Sequence, residues 1–168
     1  MRVRVFYHDK CFDGACSASL FTRFHRDRIA AGAAYEYHGL VHRAGALFDE
    51  GAFTGDENAI VDFKYSASPR ITWWFDHHLS AFLAPEDHEH FLACQRDPVC
   101  AAHKFFDPNY TSCTSFLAHI ASTRFGFNAV RCRSSSGGRS GATNGCCKIC
   151  SSGISVSSGI NRGMKAGS

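Results

Sequence analysis

The sequence predicts an α/β fold, a parallel β-sheet flanked by helices over residues 1–130, followed by a disordered tail over residues 131–168. Three observations predict it. Strand-like and helix-like segments alternate through the first 130 residues, which is the pattern of a parallel sheet with crossover helices. The strand-like segments are short apolar runs that end in polar residues. The composition changes abruptly after "FGFNAV".

The elements follow in order. "VRVFYH" (3–8) reads as a strand, and "GACSASLFTRFHRD" (14–27) as a helix with Ala18, Leu20, Phe21, Phe24 and His25 at helical spacing. "AAYEYHGL" (33–40) alternates like a strand. "AIVDF" (59–63) and "ITWWFDHH" (71–78) are apolar runs, with Trp73 and Trp74 expected in the core on opposite sheet faces. "PEDHEHFLACQ" (85–95) opens with Pro and acids, a helix start. "SCTSFLAHIASTRFGF" (112–127) is the last helix, opened by a cap at "SCTS", with Phe116, Ile120 and Thr123 on one face and Leu117 and Ala121 on another.

The tail holds ten Ser, eight Gly and four Cys in 38 residues and none of the 22 aromatics, too little apolar surface to offset chain entropy. Its "CCKIC", with Cys132 upstream, lacks the two spaced ligand pairs of a zinc ribbon. A zinc-knuckle nucleic-acid binder is accordingly the weakest reading. The abrupt change in composition reads as a shift of reading frame. The tail has six Lys/Arg and no Asp/Glu, whereas residues 1–130 carry twelve against fifteen. The overall charge of +3 therefore says little about nucleic-acid binding by the folded part. No apolar run is long enough to span a membrane, and "MRVRVFYH" has no signal-peptide core, so a cytoplasmic location is expected. In that setting the nine cysteines are expected as thiols or metal ligands rather than disulfides.

In parallel α/β sheets ligands bind beyond the carboxyl ends of the strands. His8 with Asp9 and Asp13, then Asp62, then Asp76, His77 and His78, all fall there. Singly, an Asp in such a place is usually a turn or cap residue. Together, carboxylates and imidazoles without matching basic residues call for a cation, and mixed O/N ligands suit Mn²⁺, Mg²⁺ or Zn²⁺. His88 and His90 have the wrong spacing to share a helical metal face and read as solvated. Arg96 and Lys104 are the body's candidate phosphate contacts.

"FDHH" (75–78) resembles the signature of the DHH phosphoesterase superfamily, which includes RecJ-type nucleases, oligoribonucleases and family-II inorganic pyrophosphatases. "YHDKCFDGACSA" (7–18) resembles its first motif and "IVDF" (60–63) its second, in the family's order. The resemblance implies a five-stranded parallel sheet and two divalent ions, commonly Mn²⁺. It implies His8, Asp13, Asp62 and His77 as metal ligands, with Asp62 bridging, and Asp76 as either a metal ligand or an acceptor that orients the neighbouring histidines. Asp62, Asp76, His77 and His78 become the catalytic set, and His78 can face the scissile phosphate. Cys11 stands where the family's first motif carries an aspartate, either as a softer ligand or as a small buried side chain. Of the aspartates after the DHH stretch, Asp97 and Asp107 are the candidates for the family's fourth ligand, and Asp107, before Pro108, reads instead as a turn residue.

The implied activity is metal-dependent hydrolysis of a phosphodiester or phosphoanhydride of a nucleotide or short oligonucleotide. Nothing after residue 130 can build the family's second, substrate-gripping domain, so the DHH domain is expected to be partial and its sheet incomplete. That leaves apolar surface exposed on the helix at 112–127. The alternative is accordingly a catalytically inactive DHH module that binds metal or nucleotide without turnover.

Overall fold

The computed structural model describes residues 1–43 and 47–129. Five strands, β1 (Arg2–His8), β2 (Ala34–Leu40), β3 (Glu57–Val61), β4 (Trp73–Asp76) and β5 (Lys104–Phe106), form one sheet in the order β2-β1-β3-β4-β5. Every pairing is parallel. Helix α1 (Phe12–Arg28) joins β1 to β2. Helices α2 (Pro85–Arg96) and α3 (Pro98–Ala101) join β4 to β5, and α4 (Cys113–Phe125) follows β5. The expected fold class is found with all five strands in place. The tail, its "CCKIC" and the proposed frame shift lie outside the described residues.

A parallel sheet is covered on both faces, which is why β3 and β4 read as continuous apolar runs. Val3, Val5, Ala59, Val61, Trp73, Phe75 and Phe105 pack with Phe21 and Phe24 of α1 and Phe116 and Leu117 of α4. Phe6, Ile60 and Trp74 pack on the other face with Phe53, Phe63, Tyr65, Ile71 and Phe91. The two tryptophans thus divide between the faces as expected. His25, on the buried stripe of α1, is fully enclosed but paired: Nδ1 meets Tyr35 Oη at 2.9 Å and Nε2 meets Glu57 Oε2 at 2.8 Å.

Gly14 lets α1 start against the end of β1. A Cβ there would sit 2.2 Å from the His8 carbonyl oxygen, a backbone atom that cannot swing away. Gly14→Ala is expected to cost about 2–3 kcal/mol through overpacking. That lowers the thermal midpoint by roughly 5–10 °C; an unchanged melt by circular dichroism would refute so close a contact.

In α4 the cap reads as expected, with Ser112 Oγ accepting from the Ser115 amide at 3.1 Å. The buried face differs from the expected one. It comprises Cys113, Phe116, Leu117 and Ala121, whereas Thr123 is exposed and donates back to the His119 carbonyl at 2.8 Å. The helix packs on α1 and β4, so its large apolar side chains are not left exposed.

Two features of the β4–β5 connection depart from the sequence reading. β5 has three residues, too few to show a period, and α3 is a single turn capped by Asp97, whose Oδ1 accepts from the Val99 amide at 2.9 Å. The turn at Asp97–Pro98 brings Cys94 and Cys100 side by side, with Cα atoms 5.2 Å apart, and they form a disulfide rather than free thiols or ligands. Among the described residues no helix is long and apolar enough to cross a membrane.

Candidate metal centre

After β2 the chain crosses β1 to build β3 on its far side. The crevice beyond the carboxyl ends of β1 and β3 is therefore the topological switch point, where open α/β sheets place their ligands. His8 ends β1, Asp62 follows β3, and Asp76 ends β4 with His77 and His78 next. Asp62 has left-handed backbone (φ 58°), uncommon for a residue other than glycine and a local cost. Its amide is fixed by the Phe75 carbonyl at 2.9 Å.

These side chains gather into two groups that could each hold a cation. His8, Cys11 and Asp62 form one; Asp62, His77 and His78 form the other. In each, the ligand atoms lie within 4.8 Å of one another. Asp62 belongs to both and faces both ways: Oδ2 is 3.7 Å from His8 Nδ1, and Oδ1 is 3.4 Å from His77 Nε2.

The histidines are held ready to donate a lone pair. His77 Nδ1 lies 3.0 Å from the Tyr110 carbonyl, and His78 Nδ1 lies 2.6 Å from Asp76 Oδ1. A carbonyl or carboxylate can only accept, so each Nδ1 carries the proton and each Nε2 is left as the donor atom. This is the usual outer support of a metal-bound histidine. Asp76 Oδ1 also accepts from the His77 amide at 2.8 Å.

Burial supplies the electrostatic reason for a cation. Asp62 and Asp76 are 1 % and 0 % exposed. Both oxygens of Asp62, Oδ2 of Asp76 and Nδ1 of His8 are buried without a hydrogen-bond partner. Orphaned buried polar atoms are rare and costly, and four of the five among the described residues collect at this place, His38 Nε2 being the exception. Burial, with Asp13 and Asp76 nearby, pushes the Asp62 carboxyl up to about 6 against the pull of His78 and His77. Burial, with His42 and His78, pushes the His8 imidazole down, toward the neutral form that binds metals. The hydrogen bond to Asp76 raises His78. The donor set therefore fits a divalent cation.

Asp13 lies beside the centre, with Oδ2 3.6 Å from His77 Nε2, but its carboxylate is engaged elsewhere. It accepts from the Cys113 amide at 2.7 Å, the Thr114 amide at 3.0 Å and Thr114 Oγ1 at 2.5 Å, so it anchors the start of α4. Asp9 turns back on its own loop, accepting from the Lys10 amide at 2.8 Å. Asp107 is the turn residue expected, accepting from the Asn109 amide at 3.0 Å. His90 is exposed and meets Tyr65 Oη at 2.9 Å. Lys104 and Arg96 are not at the centre. Lys104 is buried over the Tyr65 ring and Arg96 ends α2, where the chain turns toward the start of β5. One residue was missed: the His42 ring lies 4.9 Å from that of His8 and stacks on Phe63. It follows the end of β2, so the strand-end pattern that singled out His8 could have found it.

Comparison with family models, curated proteins and solved structures gives no match for this chain.

Proposed function

We propose that the chain is a metal-dependent phosphoesterase acting on a phosphodiester or phosphoanhydride of a nucleotide or short oligonucleotide. The observation that carries the reading is Asp62: one buried, unpartnered carboxylate shared by two ligand groups. His8, Cys11 and Asp62 hold one divalent ion, and Asp62, His77 and His78 a second. Such a pair lowers the pKa of a water and offsets charge on phosphoryl oxygens. Mn²⁺ or Zn²⁺ fits three imidazoles and a thiol better than Mg²⁺, which prefers oxygen ligands. Asp76 and the Tyr110 carbonyl keep His78 and His77 in their tautomers.

A groove of about 590 Å³ supports a nucleotide substrate. It lies between α1 and β2, lined by Tyr7, Tyr37, Thr22, Arg23 and Arg26 among others and by no acidic residue, although residues 1–130 are net acidic. Successive strand residues face opposite sides of the sheet, so Tyr7 opens this groove on the α1 face, away from the His8 side chain. Arginines there meet phosphates and tyrosine rings can stack on bases. Arg26→Glu is expected to raise KM for a short oligonucleotide roughly tenfold, about 1.4 kcal/mol. It should leave hydrolysis of bis-p-nitrophenyl phosphate unchanged; equal effects on both substrates would contradict a strand-binding role.

The test of the activity is turnover of bis-p-nitrophenyl phosphate in Mn²⁺, present in the wild type and lost in Asp76→Ala, where His78 loses its acceptor. A second reading, a module that binds metal without turnover, is favoured by one observation: the Asp13 carboxylate is spent on α4. Stoichiometric metal with no turnover in a folded wild type would select it.

A further inference from the structure

We infer that the two halves of the centre are chemically unlike and select different ions, the His8–Cys11–Asp62 half taking a thiophilic ion, Zn²⁺ or Fe²⁺, through a Cys11 thiolate. The Asp62–His77–His78 half, with one carboxylate and two imidazoles, accepts Mn²⁺. This rests on the metal-centre reading above and adds to it which residue sets metal choice.

Cys11 is the N-cap residue of α1, yet its side chain makes no capping hydrogen bond. It is partly exposed, unlike Cys113, which is buried and gives its S–H to the Phe75 carbonyl at 3.4 Å. Its sulfur instead shares a cluster with an imidazole and a carboxylate. Both partners point to a ligand independently of the cysteine. Asp62 is 1 % exposed with neither oxygen hydrogen-bonded, and His8 Nδ1 is buried and unpartnered. A sulfur, a nitrogen and an oxygen in one cluster match the three-ligand sites that leave a Zn²⁺ position open. Thiolate ligands select soft ions over Mg²⁺ or Mn²⁺. On binding, the thiol proton passes to solvent and a sulfur lone pair forms the new bond, so uptake in this half releases a proton.

The test is titration of the metal-free full chain, with the Cys94–Cys100 disulfide intact, with Co²⁺, a spectroscopic stand-in for Zn²⁺. The wild type should show sulfur-to-cobalt charge-transfer absorption in the near ultraviolet and release one proton more than Cys11→Ser. The absorption should disappear in Cys11→Ser. It should persist in Cys16→Ser, and also when Cys132, Cys146, Cys147 and Cys150 are all replaced by Ser. Zn²⁺ affinity should fall at least about tenfold in Cys11→Ser, and Cys11→Asp should shift preference toward Mn²⁺. Absorption that survives Cys11→Ser, or that vanishes with the tail cysteines, overturns the inference and leaves the metal centre standing. No cobalt uptake at this edge overturns both.

Discussion

Asp62→Asn should abolish phosphodiester turnover, by at least about 10³-fold, while removing a stability cost from the metal-free chain. The two effects share a cause. The Asp62 carboxylate is buried without a hydrogen-bond partner; in the proposed centre it serves cations, and without them its charge is expensive. Its folded-state value of about 6 lies above the ordinary 3.8, so the folded metal-free protein holds this proton more tightly than the unfolded chain. Stability is then greatest below pH ~4 as far as this group is concerned, and is lost as pH rises through about 6. A gap of about two pH units corresponds to something on the order of 3 kcal/mol. His78, also raised, contributes in the same direction, whereas His8, lowered, contributes in the opposite one. The difference between wild type and Asp62→Asn isolates Asp62. Denaturant unfolding in EDTA at pH 5 and pH 8 should show the wild type losing the more stability between the two. A wild type that gains relative to the variant would contradict a buried carboxylate that lacks a hydrogen-bond partner.

Asp13→Ala should be the most destabilising single change near the centre. Three donors of α4, the Cys113 and Thr114 amides and the Thr114 hydroxyl, lose their acceptor at once. Helix-start acceptors and charged hydrogen bonds of this kind give about 2–4 kcal/mol in total. That is a fall in thermal midpoint of roughly 5–15 °C. At a temperature where the variant is still folded, metal uptake should persist, because neither ligand group includes Asp13. Loss of metal from the folded variant would instead make Asp13 a ligand, as the DHH resemblance implies.

That contrast shows where sequence was informative. The strand ends were legible because period and polarity are local, and the parallel order follows from alternation. His8, Asp62 and Asp76 through His78 could therefore be placed at one edge before any coordinates. The sharing of Asp62 between two groups, implied by the resemblance, has a matching geometry. The partner of Asp13 was not legible, since it lies about a hundred residues along the chain at the start of another helix. Nor was the Tyr110 carbonyl under His77, because a backbone atom carries no sequence signal. β5 is too short for a period, and the Cys94–Cys100 pairing depends on a turn whose geometry the sequence suggests only through Pro98.

The most direct test is the number of ions bound per chain after equilibration with Mn²⁺ and Zn²⁺ together, by elemental analysis of the full-length wild type and Asp62→Ala. Because one carboxylate serves both ligand groups, the variant should hold two fewer ions than the wild type. Equal metal content in the two folded proteins would contradict a centre built on Asp62.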